Sequence, residues 1–94
     1  MKWAHYHAYD QYYDFERVLY TMPDAQATDV LMVLTFNAEK RTAYYVLRLT
    51  NDNGNSVDWE KDHALTWEDA LKMVLSEGVP ENFPDELLTI GALA

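Results

Sequence analysis

Polar and apolar side chains alternate from the first residues of the chain, with Trp3, His5 and His7 on one side and Lys2, Ala4, Tyr6 and Ala8 on the other. That alternation predicts a short strand. Beyond it, Asp10 stands where a helix cap would. Tyr12, Phe15, Val18, Leu19 and Met22 follow the helical repeat of about 3.6 residues, with Asp14, Glu16 and Arg17 elsewhere on the circumference. A strand here would set Arg17 among Tyr13, Phe15 and Leu19, so the pattern favours a helix that Pro23 stops.

Two continuous apolar runs follow, at residues 30–36 and 43–49, separated by Asn37-Ala38-Glu39-Lys40-Arg41. They predict a hairpin, and because both are apolar on both faces at their centres they belong in the middle of a sheet. Asn53-Gly54 accepts the positive φ angles of a tight turn, so a further strand is expected from Val57 to about Lys61. Asp58 and Glu60 resist burial and place that strand at an edge. The sharpest local signal is Thr66-Trp67-Glu68-Asp69, a capping box that opens a helix with an apolar stripe of Trp67, Ala70, Leu71, Val74 and Leu75. Gly78 and Pro80 end it. Residues 85–93 suit either a final strand or a short helical turn.

The order of elements reads as a single α+β domain over residues 1–94. The expected architecture is a mostly antiparallel sheet of about four to five strands with two helices packed on one face. If residues 85–93 form a strand, the topology becomes a variant of the split-βαβ, ferredoxin-like sandwich.

Composition narrows the function classes. The chain has no cysteine, which removes disulfides, thiol nucleophiles and the common zinc ribbons and fits a reducing, cytoplasmic setting. Its first residues hold no apolar stretch of a signal peptide, and the longest apolar run is far too short to span a bilayer. The formal charge of −9 is unevenly placed. Through Asn51, six acids face five bases, whereas from Asp52 onward ten acids face only Lys61 and Lys72. Such a half repels phosphate backbones and anionic headgroups, so neither direct nucleic-acid binding nor membrane binding is expected.

Candidate chemistry is sparse. His5 and His7 point the same way on a strand, and with His63 they form a candidate metal set, with Asp10 or Asp14 as oxygen donors. Without a spacing that fixes a third ligand, the bland alternative is a pair of histidines on a wet strand face. Asp58, Glu60 and Asp62 form an acidic stripe, useful for acid–base chemistry or simply for solvating an edge. Tyr6, Tyr9, Tyr12, Tyr13 and Tyr20 cluster in the first third, more phenols than one strand and one helix can bury, and an exposed tyrosine patch suits partner binding. Ser56 and Ser76 lack a nucleophile elbow, and the glycines lie too far apart for a phosphate loop.

These features point to a non-enzymatic binding or regulatory domain, without a cofactor, that acts through protein contact or self-association as a homodimer. Its expected contact residues are Tyr6, Tyr9, Tyr12, Tyr13, Asp58, Glu60 and Asp62. Two alternatives stand beside it: an acidic nucleic-acid mimic that inhibits a DNA- or RNA-binding protein, and a metal-dependent enzyme using His5, His7 and His63.

Overall fold

The computed structural model describes residues 3–23, 27–59, 62–78 and 83–88, apart from the side chains of His5 and Tyr6. Among them, six strands form one antiparallel sheet: β1 (Ala4–Tyr9), β2 (Tyr12–Thr21), β3 (Asp29–Asn37), β4 (Thr42–Thr50), β5 (Ser56–Asp58) and β6 (His63–Leu65). Neighbours run in chain order from β1 to β5, and β6 also pairs with β4. One helix, α1 (Trp67–Leu75), follows, and residues 85–88 add a helical turn.

This topology replaces the ferredoxin-like expectation. A split-βαβ unit needs a helix between its first two strands, but β1 and β2 are joined by the two-residue turn Asp10-Gln11 and form a hairpin, with Asp10 at φ 50°. The protein is therefore a curled antiparallel half-barrel with short helical segments. Its helices do not form an α+β layer.

The residues expected to form the first helix are instead the ten residues of β2. Two local facts explain why the apolar spacing misleads. Val18 opposes Leu31 while Tyr20 opposes Val30, so Leu19 is an extra residue in a β-bulge, and the apolar side chains after it fall out of alternation. Arg17 shares a face with Phe15 but reaches the rim of the core, where its Nη2 lies 3.0 Å from Glu77 Oε1. The charge that argued against a strand is thus neutralised. A similar irregularity between Ala4 and His7 puts Trp3 into the core and His7 on the other face, although strict alternation would align them.

Other elements follow their sequence signals. The hairpin of β3 and β4 holds nine register pairs, and its turn ends at Arg41 with φ 56°. Asn37 is buried in that turn, where its Oδ1 accepts the Lys40 amide at 3.2 Å. Asn53-Gly54 turns the chain into β5, with Gly54 at φ 81°. Of the edge strand expected over residues 57–61, the structure shows Ser56–Asp58, while residues 60–61 lie outside the described residues; continuous pairing from Arg48–Asp58 would set residue 61 opposite Tyr45, yet His63 stands there. The shift is by two residues, so β5 and β6 keep the same alternation of faces along one interrupted edge.

Helix α1 opens at Thr66, whose Oγ1 accepts the Asp69 amide at 3.1 Å, and Gly78 follows its end at φ 98°. It packs on one face of the sheet. Phe15, Leu34, Phe36 and Ala43 from the strands meet Trp3, Trp67, Ala70, Val74 and Leu87, all buried. The aromatic rings interlock edge to face, with Phe36 5.1 Å from Trp67 and 5.7 Å from Phe15. Both core indoles are satisfied, Trp3 Nε1 donating to Met73 O at 2.8 Å and Trp67 Nε1 to Leu87 O at 3.2 Å. The last of these bonds ties the turn at 85–88 onto the core.

Candidate binding site on the helix-free face of the sheet

Residues directly opposite one another in a ladder project to the same face, so the registers assign every strand position. On the face away from α1, His7, Asp14, Thr35 and Tyr44 form one row across four strands. Glu16, Val33 and Val46 form the next, and Val18, Leu31, Arg48 and Asp58 the one beyond. Tyr9 and Tyr12 oppose each other at the near end, with ring centroids 5.3 Å apart.

These rows surround a cavity of about 480 Å³. Val33 and Val46, which pack with Leu31 in a small apolar cluster, give it an apolar floor, and Thr35 is buried beside them. The walls are polar. His7, Tyr9, Asp14 and Glu16 line the side of β1 and β2, while Tyr44, Arg48, Asp58 and Asp62 line the other.

Hydrogen bonds fix several of these groups. Thr35 Oγ1 donates to Asp14 Oδ1 at 2.8 Å, which satisfies a hydroxyl that would otherwise be stranded in a buried strand. Arg48 Nε donates to Asp58 Oδ1 at 2.7 Å. That bond raises the Arg48 pKa further above its ordinary value, and the charges of Asp58, Glu16 and Asp14 add to it against the cost of partial burial. The Tyr9 phenol is also pushed up, first by partial desolvation and then by the negative charge of Asp14, with which it hydrogen-bonds.

Counting formal charges around the cavity, Asp14, Glu16, Asp58 and Asp62 outnumber Arg48, so the space is net anionic. Its chemistry suits a ligand that carries positive charge and hydrogen-bond donors, with aromatic rings of Tyr9 and Tyr44 at the walls to receive an alkyl stem or a cation.

The sequence-derived contact residues divide between the two faces. Tyr9, Asp58 and Asp62, distant in sequence, line the same cavity, and Tyr12 stands against Tyr9. Tyr13 belongs to the helix face, where its hydroxyl donates to Glu86 Oε1 at 2.6 Å. The side chain of Tyr6 and all of Glu60 lie outside the described residues. The proposed metal set does not assemble: His7 projects to the cavity face, whereas His63 opposes Tyr45 on the helix side and stacks on its ring at 4.8 Å. The side chain of His5 is outside the described residues, and among the described ones no group of three or more His, Cys, Asp or Glu is arranged to hold a metal ion.

Asp14 enters the sequence reading only as an oxygen donor to a metal, and Glu16, Thr35, Tyr44 and Arg48 do not enter it as site residues. The first two were hidden by the helical reading of β2. Two of the others carry a readable signal, since Thr35 and Arg48 are polar interruptions in two otherwise apolar central strands.

Among the described residues no helix is long and apolar enough to cross a membrane. No protein-family model, curated protein or solved structure matches the chain.

Proposed function

We propose that this is a non-enzymatic binding domain that contacts a protein partner through the helix-free face of its sheet and receives a basic side chain of that partner in the anionic cavity. The observation that supports this reading is the convergence of Tyr9, Asp58 and Asp62 with Asp14 and Glu16 around one space whose only cation among the lining residues is Arg48. A lysine or arginine entering there exchanges water for carboxylate hydrogen bonds, which are stronger than neutral ones. The apolar floor of Val33 and Val46 gives its methylene stem a surface to cover. A cytoplasmic setting agrees with the absence of cysteine.

The nucleic-acid mimic gains less support. A phosphate mimic needs carboxylates free along a surface, and Asp58 is engaged by Arg48 while Asp14 is engaged by Thr35.

The test is calorimetric titration of the protein with short basic peptides and with acidic peptides of equal length. Basic peptides bind, and the double substitution Glu16→Gln with Asp62→Asn weakens them by about tenfold or more, roughly 1.4 kcal/mol. Equal affinity of the substituted and native proteins would refute the reading.

A further inference from the structure

Among the described residues the buried polar side chains are Thr35 and Asn37. Asn37 serves the fold, because its Oδ1 accepts the Lys40 amide in the turn between β3 and β4. Thr35 has a different partner. It stands in β3 between the buried Leu34 and Phe36, and its hydroxyl donates at 2.8 Å to Oδ1 of Asp14, a half-buried carboxylate that lines the cavity. Valine has nearly the same shape and suits a buried strand at least as well, without a hydroxyl to desolvate. What threonine adds at this position is its hold on Asp14.

Asp14 is held from a second side as well. The Tyr9 phenol hydrogen-bonds the same carboxylate. Tyr9 reaches it from β1 and Thr35 from β3, the two strands that flank β2. A carboxylate offers about four acceptor positions on its two oxygens, so two donors fix its plane and leave roughly half of its capacity for a ligand. Glu16, two residues farther along the same face of β2, brings a second carboxylate to the cavity, about 7 Å on along the backbone.

The orientation of such a carboxylate matters to one kind of cation more than to another. A guanidinium is planar, and its rigid fork of donors matches a carboxylate only when the two planes agree; it also stacks on aromatic faces, here those of Tyr9 and Tyr44. An ammonium is a strongly hydrated point charge whose three donors rotate to suit the acceptor.

We infer that Thr35 is a positioning residue which, by fixing the plane of Asp14, makes the cavity select an arginine side chain of the partner over a lysine. This rests on the cavity reading proposed above and adds to it the chemistry of the partner.

Calorimetric titration with two short peptides, identical except for one arginine or one lysine, tests it. The native protein binds the arginine peptide about tenfold more tightly. Thr35→Val keeps the shape, removes the donor and erases most of that preference by weakening the arginine peptide alone, while Thr35→Ser restores it. Tyr9→Phe removes the second donor from a ring that is 43% exposed, acts in the same direction, and decides the matter should Thr35→Val fail to fold by far-UV circular dichroism. Equal affinity of the native protein for both peptides overturns the inference and leaves the cavity reading standing, as does an equal loss of both peptides in the folded variants. Binding of neither peptide overturns the cavity reading itself, and the inference falls with it.

Discussion

Arg48 and Asp58 face each other across the β4–β5 ladder with Nε and Oδ1 2.7 Å apart, and their contact closes one wall of the cavity. Both side chains remain partly exposed, 32% for Arg48 and 50% for Asp58. Pairs of this kind contribute little to stability, about 0.2–1 kcal/mol. Arg48→Met therefore lowers the urea midpoint only slightly, while removing the single positive charge from the lining and tightening the binding of a basic peptide. A large loss of stability, or weaker peptide binding, in side-by-side denaturation and titration would show that Arg48 has another role.

The core on the helix face has the opposite sensitivity. Phe36 is fully buried and touches both Phe15 and Trp67 through its ring edges. Phe36→Ala leaves a void that the two-sided packing cannot close, at a cost of about 3–5 kcal/mol. For a domain of this size that is a large share of the total stability. Chemical denaturation monitored by tryptophan fluorescence measures it, and a change below about 1 kcal/mol would mean that the aromatic cluster is not packed as described.

Thr66 offers a smaller, local test. Its hydroxyl accepts the Asp69 amide at the start of α1, and Thr66→Ala leaves that amide without its cap. The expected destabilisation is about 1 kcal/mol, and Thr66→Ser restores most of it. Equal unfolding midpoints for the alanine and native proteins would deny the cap any energetic role.

That cap also marks what the sequence makes legible. Thr66, the Asn53-Gly54 turn and the apolar hairpin of β3 and β4 are specified by contacts among near neighbours, and each appears where its pattern placed it. Strand β2 is decided by distant partners. The bulge at Leu19 and the ion pair of Arg17 with Glu77 exist only once β3 and α1 are in place, so the local spacing of Phe15, Val18 and Leu19 imitates a helix. The error then propagated to the site. With β2 read as a helix, Asp14 and Glu16 had no reason to face Thr35 and Arg48, so of the cavity lining the sequence offers Tyr9, Asp58 and Asp62 as contact residues and His7 and Asp14 only as metal ligands.

Tyr9 should report on the cavity by its titration. Partial desolvation and the adjacent Asp14 carboxylate raise its pKa above the usual phenol value of 10.0. Because the folded pKa is the higher one, the contribution to stability is complete below the unfolded pKa and is lost as pH rises through the folded value. NMR titration of the Tyr9 ring should therefore show a midpoint above 10.0 in the native protein, moving back toward it in Asp14→Asn. An unchanged midpoint in that variant would remove Asp14 as a cause.

The most direct measurement of the central claim is amide chemical-shift mapping by NMR as a short arginine-containing peptide is added. The cavity account predicts that the largest shifts fall on Asp14, Val33, Thr35, Val46 and Arg48, while Ala70 and Val74 on the opposite side of the sheet stay still. Shifts concentrated on α1, or spread evenly over the surface, would contradict it.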